Sequence, residues 1–414
     1  MASVVQDRIV TLDIIRGVAV MGIFSVNVIA FAMIDGAYFN PGTYGGHSGA
    51  DLALWATNMV VVDGKLRTLF SMLFGASMLL IVERAEAAGE SGWSVHARRS
   101  LVLFLIGLAH FYFLWWGDIL HLYAAVGLIA FFFRGLSPRA LLVWAVAFTI
   151  IDMLMFGGIV SQVYRQDLAA HAAGASPEAI RQWNDIAVGF YPTASYLAED
   201  RAIYGGSFVT RLTEMLTNRA GEPLNDISLL APETLSLMLL GMWGYKTGFL
   251  TGAWDDRSYG RIALIAIPAG ALAFACIVIV DISSGFYLPT VFGAMTAASV
   301  PFRPLMAFGY AALIILLTRR GGWLAQRFAA VGRTAFTNYL GTSLIAAFVF
   351  YGWGLALYGQ VSRAQAWLLV PLVWAIMLLW SKPWLERFQF GPLEWLWRSL
   401  ARWQVQPMRR RAVA

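Results

Sequence analysis

Long apolar stretches recur along almost the whole of this chain, and they constrain its fold more than any other feature. A helix needs about 20 mainly apolar residues to cross a bilayer. The sequence is 59% hydrophobic and only 13% charged, whereas a soluble domain has about a quarter of its residues charged. We therefore predict an all-α, polytopic membrane helix bundle with about ten spans. The predicted spans are 12–34, 66–84, 99–116, 119–134, 139–161, 227–250, 261–281, 302–318, 335–358 and 366–381.

The distribution of positive charge predicts the orientation of these spans. If the N-terminus is cytoplasmic, twenty of the 30 Lys and Arg residues fall on the cytoplasmic side, nine on the outer side and Arg16 inside the first span. Cytoplasmic loops carry the excess of Lys and Arg in membrane proteins. We expect both termini in the cytoplasm, and membrane lipids rather than nucleic acid explain the net charge of +6.

Two polar segments stand apart from the spans of this single transmembrane domain, 1–414. Residues 162–226 are expected to form an outer-side excursion of two amphipathic helices, the first capped by Ser176 and begun by Pro177. Residues 382–414 are expected to form a basic cytoplasmic tail. Cys276 is the only cysteine, so neither a disulfide framework nor a thiolate zinc site is expected, and we expect no metal.

Polar residues inside the first span indicate a site, because an unpaired charge at the bilayer centre costs about 3 kcal/mol or more. Asp13 and Arg16 are three residues apart and can pair on one helix face. Arg16 can simply reach the cytoplasmic interface, or it can face a cavity and bind an anionic group such as a phosphate. Asn27 lies on the same helix side, three turns further on, and is expected to line the same cavity.

The densest polar cluster is GLAHFYFLWWGDILHLYAAVG at 107–127, which predicts two antiparallel helices joined at Asp118. His110 is embedded before the turn, while His121 and Tyr123 begin the returning helix. An imidazole oriented by a carboxylate can act as a general base, so His110 and Asp118 are predicted to be a reactive pair. Alternatively, His110 is a hydrogen-bonded bundle histidine and Asp118 is only a helix cap.

The remaining candidates are more scattered. His47 lies in a Gly-rich outer loop, where a lone histidine is more often solvated than catalytic. Lys65 and Arg67 are basic on the outer side, which suggests an anionic partner or the acidic segment 199–226. Arg333 stands at a cytoplasmic helix start, where the helix dipole disfavours a cation and a bound anion would compensate; Asn338 follows it in the same motif.

Several motifs together resemble the YeiB-like family of bacterial inner-membrane proteins. They follow in order along nearly the whole chain: LDIIRG (12–17), KLRTLFSMLFG (65–75), the hairpin from His110 to Gly127, GRTAFTNYL (332–340) and GPLEWLWR (391–398). The resemblance implies a multi-pass protein of the bacterial inner membrane. It does not imply an established biochemical function.

The LDIIRG opening is also similar to that of the wider transmembrane acyltransferases. The acyltransferase-3 pattern has a catalytic His at the position of Asn27, so this chain departs from that pattern. The heparan-alpha-glucosaminide acetyltransferase group has an Asn resembling Asn27 and then a loop His that would correspond to His47. His47 is not part of the YeiB-like motifs, whereas His110 is, so His110 ranks first as the base.

Two functions follow as expectations. In the first, a cytoplasmic acyl-CoA, such as acetyl-CoA, places its phosphates against Arg16 and Arg333, and His110 deprotonates a small-molecule, glycan or lipid acceptor at the outer face. Asn27 would then stabilise the oxyanion. In the second, the same groups recognise an anionic solute or lipid in a transporter or binding protein without catalysis. The aromatic helices near 366–400 suggest a homodimer.

Overall fold

The computed structural model describes residues 9–410 and is built from helices. Within that range the only extended pairing is one isolated bridge, between Phe388 and Arg409. The helices of the first part of the chain are α1 (Val10–Ala32), α2 (Gly49–Val61), α3 (Lys65–Ala87), α4 (Gly92–Phe113), α5 (Leu120–Ala130) and α6 (Pro138–Ala170). The polar excursion contains α7 (Pro177–Ala187), α8 (Ala194–Tyr204) and α9 (Phe208–Thr217). The second part contains α10 (Glu222–Lys246), α11 (Asp256–Ser283), α12 (Leu288–Gly293), α13 (Phe302–Thr318), α14 (Trp323–Arg333), α15 (Ala335–Phe350), α16 (Arg363–Trp367), α17 (Leu369–Arg387) and α18 (Pro392–Arg402).

The helical membrane bundle is confirmed, and each predicted span falls largely within helix. Six helical segments of the described chain are long and apolar enough to cross a membrane, and a seventh arises if a pair of helices bent by 53° counts as one span. The six are Val10–Ala32, Gly49–Ala87, Pro138–Ala170, Glu222–Lys246, Asp256–Ser283 and Arg363–Arg387. The bent pair is Leu288–Ala298 with Phe302–Thr318.

Three of the ten predicted spans correspond to helices outside this set. Span 99–116 corresponds to α4, span 119–134 to the short apolar helix Leu120–Phe133, and span 335–358 to Ala335–Phe350. The last of these stops eight residues early because residues 351–359 form turns. Ten spans, and the orientation of the termini, therefore stay predictions.

Both predicted polar segments contain more helix than the sequence indicates. Helix α6 continues to Ala170 and α10 begins at Glu222, so the predicted excursion, 162–226, begins and ends inside helices of the bundle. It holds three helices instead of two, because a second break at Gly205–Ser207 was not recognised. The predicted tail, 382–414, is largely structured: α17 runs to Arg387, and α18 packs against α4 and α15.

Helix α1 lies at the centre of the bundle and contacts α3, α13, α14, α15 and α17. Its closest neighbour is α14, and glycines make this approach. A side chain at Gly17 would collide with the carbonyl oxygen of Phe328, and one at Gly332 would collide with that of Asp13. The glycines of two sequence motifs, LDIIRG and GRTAFTNYL, therefore serve one helix crossing.

The excursion covers one end of the bundle, called here the excursion end. Arg219 joins its polar groups, donating to Asp35 at 3.1 Å, to Glu222 at 2.7 Å and to the Tyr204 hydroxyl at 2.8 Å. Burial raises the pKa of Asp35, and Arg219 opposes that rise. The segment thus packs onto the bundle through an ion-pair network rather than extending freely into solvent.

Candidate functional site

The hairpin between α4 and α5 supplies the centre of the candidate site. Backbone N–H groups of Leu114 and Trp115 bond to the carbonyl oxygen of His110, at 2.9 and 2.8 Å, and close the end of α4. Asp118 Oδ2 accepts from the backbone N–H groups of Leu120 at 2.8 Å and His121 at 3.0 Å, and so caps α5. The helix-cap interpretation of Asp118 is therefore correct, but it describes only part of what this carboxylate binds.

The same carboxylate joins two imidazoles. Asp118 Oδ1 lies 2.7 Å from Nδ1 of His110, and Oδ2 lies 2.8 Å from Nδ1 of His121. All three residues are buried. The predicted proximity of His110 and Asp118 is confirmed, and His121 is a third member that the sequence did not assign to the pair. Because an ionised carboxylate only accepts hydrogen bonds, both rings present Nδ1–H to Asp118, and Nε2 is the remaining nitrogen of each ring.

Neither Nε2 atom has a hydrogen-bond partner within residues 9–410, although both are buried. Most buried polar atoms in proteins are hydrogen-bonded, so two unpartnered ring nitrogens beside one carboxylate are unusual. Gly107 permits the close packing of this hairpin, since a side chain there would collide with the backbone nitrogen of His121. The site is therefore fixed by local helix packing.

A basic cavity of about 210 Å³ leads towards this centre along α4. Four arginines line it: Arg16, Arg99, Arg333 and Arg398. The predicted position of Arg333 at a helix start is wrong: Arg333 is in the last turn of α14, where the helix dipole favours a cation. Arg99, Ser100 and Leu103 line the cavity, and Gly107 and His110 follow at helical spacing on the same side of α4. His110 lies eleven residues beyond Arg99, which corresponds to about 16 Å along the helix axis.

Arg16 makes the predicted ion pair and also lines a cavity, while its binding of an anion stays a prediction. It donates to Asp13 Oδ1 at 3.0 Å and to Ser77 Oγ at 2.7 Å, and it lines the basic cavity. The ion pair and the cavity are therefore not alternatives. The pair holds the guanidinium in place at the cavity wall.

A second cavity of about 260 Å³ adjoins the basic cavity. The two share Ile81, Arg99 and Arg398 as lining residues. Three further arginines, Arg84, Arg98 and Arg402, line the second cavity. We refer to the two cavities together as the basic channel; seven arginines line it, and α3, α4 and α18 contribute walls to both cavities.

The motif GPLEWLWR forms a wall of this channel. Trp397 donates through Nε1 to the carbonyl oxygen of Arg99 at 2.9 Å, and the Arg99 guanidinium lies 4.2 Å from the centre of the Trp397 ring. Glu394 accepts from the backbone N–H groups of Phe336 and Thr337, at 2.8 and 3.1 Å, and so caps α15. Burial raises the pKa of Glu394, and the hydrogen bond from Thr337 opposes that rise.

Tyr339 lines the inner end of the basic cavity and contacts the hairpin. Its ring centre lies 5.4 Å from that of His110, and its buried hydroxyl has no hydrogen-bond partner among the described residues. Tyr123 lines the cavity as well, with its hydroxyl 2.6 Å from Ser71 Oγ. The His110 ring and the Tyr339 ring are therefore neighbours, and Tyr339 is the one of the two that lines the arginine-lined cavity.

Two predicted site residues lie elsewhere. Asn27 is on the same side of α1 as Arg16, but it is about 16 Å further along the axis and is not among the residues that line the cavity. The prediction that it shares the cavity is wrong, because equal direction on a helix does not give equal depth. His47 is exposed in its loop and does not approach the hairpin through any described contact.

The outer basic residues have partners of their own. Lys65 is fully buried, donates to the carbonyl oxygen of Met59, and lies 2.9 Å from the centre of the Phe274 ring. Arg67 pairs at 2.6 Å with Glu233, which also binds Arg303 at 2.7 Å. Neither Lys65 nor Arg67 lines the basic cavity, and the carboxylate near Arg67 lies in α10 rather than in 199–226.

Asn338 is a packing residue. Its Nδ2 donates to Thr334 Oγ1 at 3.0 Å, and its Oδ1 accepts from Trp380 Nε1 at 2.9 Å. The hydrogen bond with Trp380 connects α15 to α17. The next residue, Tyr339, lines the basic cavity. Sequence reasoning missed Tyr339, Arg99 and Glu394, although two of the recognised motifs contain Tyr339 and Glu394.

Comparison with known proteins gives a family but no activity. The family model described as "Protein of unknown function (DUF418)" matches residues 244–404. The chain is 31% identical to the uncharacterised protein YxaH of Bacillus subtilis, over 98% of this chain and 97% of that protein. It is 29% identical to the uncharacterised protein YeiB of Escherichia coli, over 95% and 96%. No solved structure matches the chain.

Proposed function

The chain belongs to the DUF418 family, together with YxaH and YeiB, and we propose that it is a membrane-embedded acyltransferase. The observation that carries this proposal is the position of Tyr339, which lines the arginine-lined channel and lies against the ring of His110. An arginine-lined channel suits an anionic donor, and a buried imidazole bound to a carboxylate suits general-base catalysis. The donor we propose is an acyl-CoA, such as acetyl-CoA.

The channel matches the two chemically different parts of such a donor. Its wider part, between Arg84, Arg98 and Arg402, provides guanidinium groups for phosphates. Its inner part, about 210 Å³ in volume, combines Arg16 with Phe70, Phe74 and Leu103 and suits the thioester arm. The thioester carbonyl would then reach Tyr339, beside His110.

The reaction follows from these positions. Nε2 of His110 takes the proton of the acceptor hydroxyl or amine, and the freed lone pair attacks the thioester carbonyl carbon. The Tyr339 hydroxyl donates a hydrogen bond to the oxyanion of the tetrahedral intermediate, in the role predicted for Asn27. The C–S bond then breaks, and the imidazolium returns its proton to the leaving thiolate.

Asp118 serves this reaction by orienting the His110 ring. Its hydrogen bond to Nδ1 keeps the lone pair on Nε2 and stabilises the imidazolium that forms. The backbone N–H groups of Leu120 and His121 in turn fix Asp118. The base is therefore held by the turn itself and needs no rearrangement to accept a proton.

We propose the bacterial inner membrane as the location, with both termini cytoplasmic and the acceptor, a small molecule, glycan or lipid, at the outer face. The cytoplasmic donor would then enter beside Arg98 and Arg99, which lie in a predicted cytoplasmic loop and helix start. A homodimer and the absence of a metal requirement belong to the same proposal. Among residues 9–410 no three His, Cys, Asp or Glu side chains are grouped to bind a metal ion.

A transporter or anion-binding protein without catalysis is the second candidate. The cluster of Arg67, Glu233 and Arg303 favours it, because charged residues within spans often mark ion pathways. The cluster is fully paired, however, and none of its three residues lines the basic cavity. The buried Nε2 of His110 and the buried hydroxyl of Tyr339, which have no hydrogen-bond partner among the described residues, favour the enzyme instead.

The deciding experiment uses purified protein with acetyl-CoA labelled in the acetyl group. Label appearing in glycan, lipid or small-molecule acceptors, or on the protein, supports the enzyme. Loss of that label in His110→Ala, with retained donor binding, assigns the chemistry to this centre. Uptake of an anion into proteoliposomes without acetyl transfer would instead support the transporter.

A further inference from the structure

His121 extends the buried centre towards the excursion end. While its Nδ1 is 2.8 Å from Asp118, its Nε2 lies 3.8 Å from Oδ2 of Asp226, at the start of α10. The His121 side chain is fully buried, whereas the Asp226 side chain is 37% exposed. Asp226 is thus the first solvent-accessible titratable group on this side of the two imidazoles.

We propose that His121 and Asp226 form a proton-binding pair that sets the basicity of His110 through their common neighbour, Asp118. The inference rests on the proposed function only in treating His110 as the catalytic base. His121 and Asp226 are positioning residues in this scheme, since they act on His110 and touch no reacting atom. The proton would come from solvent at the excursion end.

The short distance between these two groups favours a shared proton. An unprotonated Nε2 and an ionised carboxylate are both acceptors, and two acceptors 3.8 Å apart repel each other. A proton on His121 or Asp226 converts the repulsion into attraction. The pair is therefore most stable with one proton bound.

That proton changes His110 because Asp118 is shared. When His121 is neutral, the charge of Asp118 stabilises the imidazolium of His110 alone. When His121 is protonated, two cations compete for one carboxylate, and protonation of His110 becomes harder. The pair would therefore titrate as a coupled unit, with His121 controlling when His110 is free to act as a base.

The surrounding charges leave this coupling intact. Asp226 faces His121 and Asp118 on the hairpin and Glu222 and Arg219 at its own helix start. Arg219 is already bound to Asp35 and Glu222. On the other side, His110 faces the aromatic rings of Tyr339 and Trp115. Asp226 is thus the carboxylate that is placed to bind a proton together with His121.

The test follows each histidine separately, without donor or acceptor. Exchange of the imidazole C2 hydrogen for deuterium, measured by mass spectrometry over a pH series, gives a midpoint for each ring. In Asp226→Asn the His121 midpoint should fall by about one pH unit, and the His110 midpoint should rise. Opposite shifts are expected because Asp118 interacts with both rings. When His121 binds its proton less tightly, the charge of Asp118 stabilises the protonated ring of His110 more.

Matched variants complete the test. Glu222→Gln removes a carboxylate one turn away that does not contact His121 and should shift both midpoints less than Asp226→Asn does, while Asp226→Glu should preserve the wild-type values. If Asp226→Asn is not monodisperse, Asp226→Ser replaces it. Unchanged midpoints, shifts in one direction, or an equal effect of Glu222→Gln would overturn the coupling. The exchange measurement does not depend on acetyl transfer. If the protein transfers no acetyl groups, the two midpoints still test the coupling, and a failed coupling test leaves the acyltransferase proposal standing.

Discussion

The ring of Tyr339 lies 5.4 Å from the imidazole ring of His110, and the two belong to helices that are far apart in the chain. Tyr339 is a wall of the basic cavity, whereas His110 is held by Asp118 in the turn behind it. This contact brings the channel to the hairpin. Under the proposed function, a donor that fills the cavity would lie next to His110 through this contact.

The first prediction concerns the base. His110→Ala should abolish acetyl transfer while retaining acetyl-CoA binding, and its melting temperature should fall because Asp118 loses the hydrogen bond from Nδ1. Asp118→Asn should reduce turnover less, since an amide still caps α5. The measurement is transfer of labelled acetyl groups, and His47→Ala is the control. Full activity in His110→Ala would remove this histidine from the mechanism.

The second prediction concerns the phenol. Tyr339→Phe removes one hydroxyl from the cavity end and should lower kcat by roughly 10²- to 10³-fold if that hydroxyl stabilises the oxyanion. Donor affinity should stay the same, since the ring is retained. Steady-state kinetics separates the two effects. A raised KM at unchanged kcat would assign Tyr339 to binding instead, and Tyr123→Phe shows the effect of losing a hydroxyl already bonded to Ser71.

The sequence predicts this centre well where the site is local. His110, Asp118 and His121 lie within twelve residues, and one tight turn brings them together whatever the rest of the fold does. Apolar stretches likewise predict the helical spans, because every backbone group must be bonded inside a bilayer. Short-range spacing and the bilayer together determine these features.

Features that depend on helix packing could not be predicted. Asn27 lies on the same side of α1 as Arg16, but too far along the helix axis to line the basic cavity. How far the cavity extends along α1 depends on which other helices end beside it. From the sequence we expect Lys65 to bind an anion on the outer side, yet its ammonium is buried against the Phe274 ring. Arg99 faces a cavity only because α18 returns to cover it, and no pattern in either segment encodes that contact.

The third prediction concerns Arg16. Its guanidinium donates to Asp13 and to Ser77 at once, and Arg16→Lys keeps the charge but loses this two-sided geometry. Affinity for acetyl-CoA should fall about tenfold, as expected for one lost charge-assisted hydrogen bond. Arg320→Lys, at an exposed position outside the cavities, is the matched control for isothermal titration. Equal affinity in both variants would exclude Arg16 from the donor site.

The fourth prediction concerns the crossing of α1 and α14. Gly332→Ala places a methyl group against the carbonyl oxygen of Asp13, and such overpacking costs about 1–3 kcal/mol. Gly341→Ala is the control, because Gly341 is helical with open space around it, and alanine there should stabilise by about 0.5–1 kcal/mol. Thermal unfolding in mild detergent should move in opposite directions for the two variants. The same direction for both would show that the crossing tolerates a side chain.

The last prediction concerns pH and the excursion. Burial raises the pKa of Asp200 from 3.8 to about 6, against the effect of its 2.6 Å hydrogen bond from Tyr358. The folded state therefore holds this proton more tightly than the unfolded state, and stability falls as pH rises from about 4 to about 6. Asp200→Asn keeps an acceptor for Tyr358 and carries no charge, so it should lose that part of the pH dependence.

At pH 7 the Asp200→Asn variant should therefore melt at a higher temperature than wild type, and the difference should disappear near pH 4. Two pH units set an upper limit of about 3 kcal/mol, and the effect should be smaller because Asp200 is partly exposed to solvent. Glu199→Gln, at the exposed neighbouring position, is the control and should show no such dependence. A variant less stable than wild type at pH 7 would mean that the ionised carboxylate stabilises the excursion, because its hydrogen bond from Tyr358 would then outweigh the cost of burial.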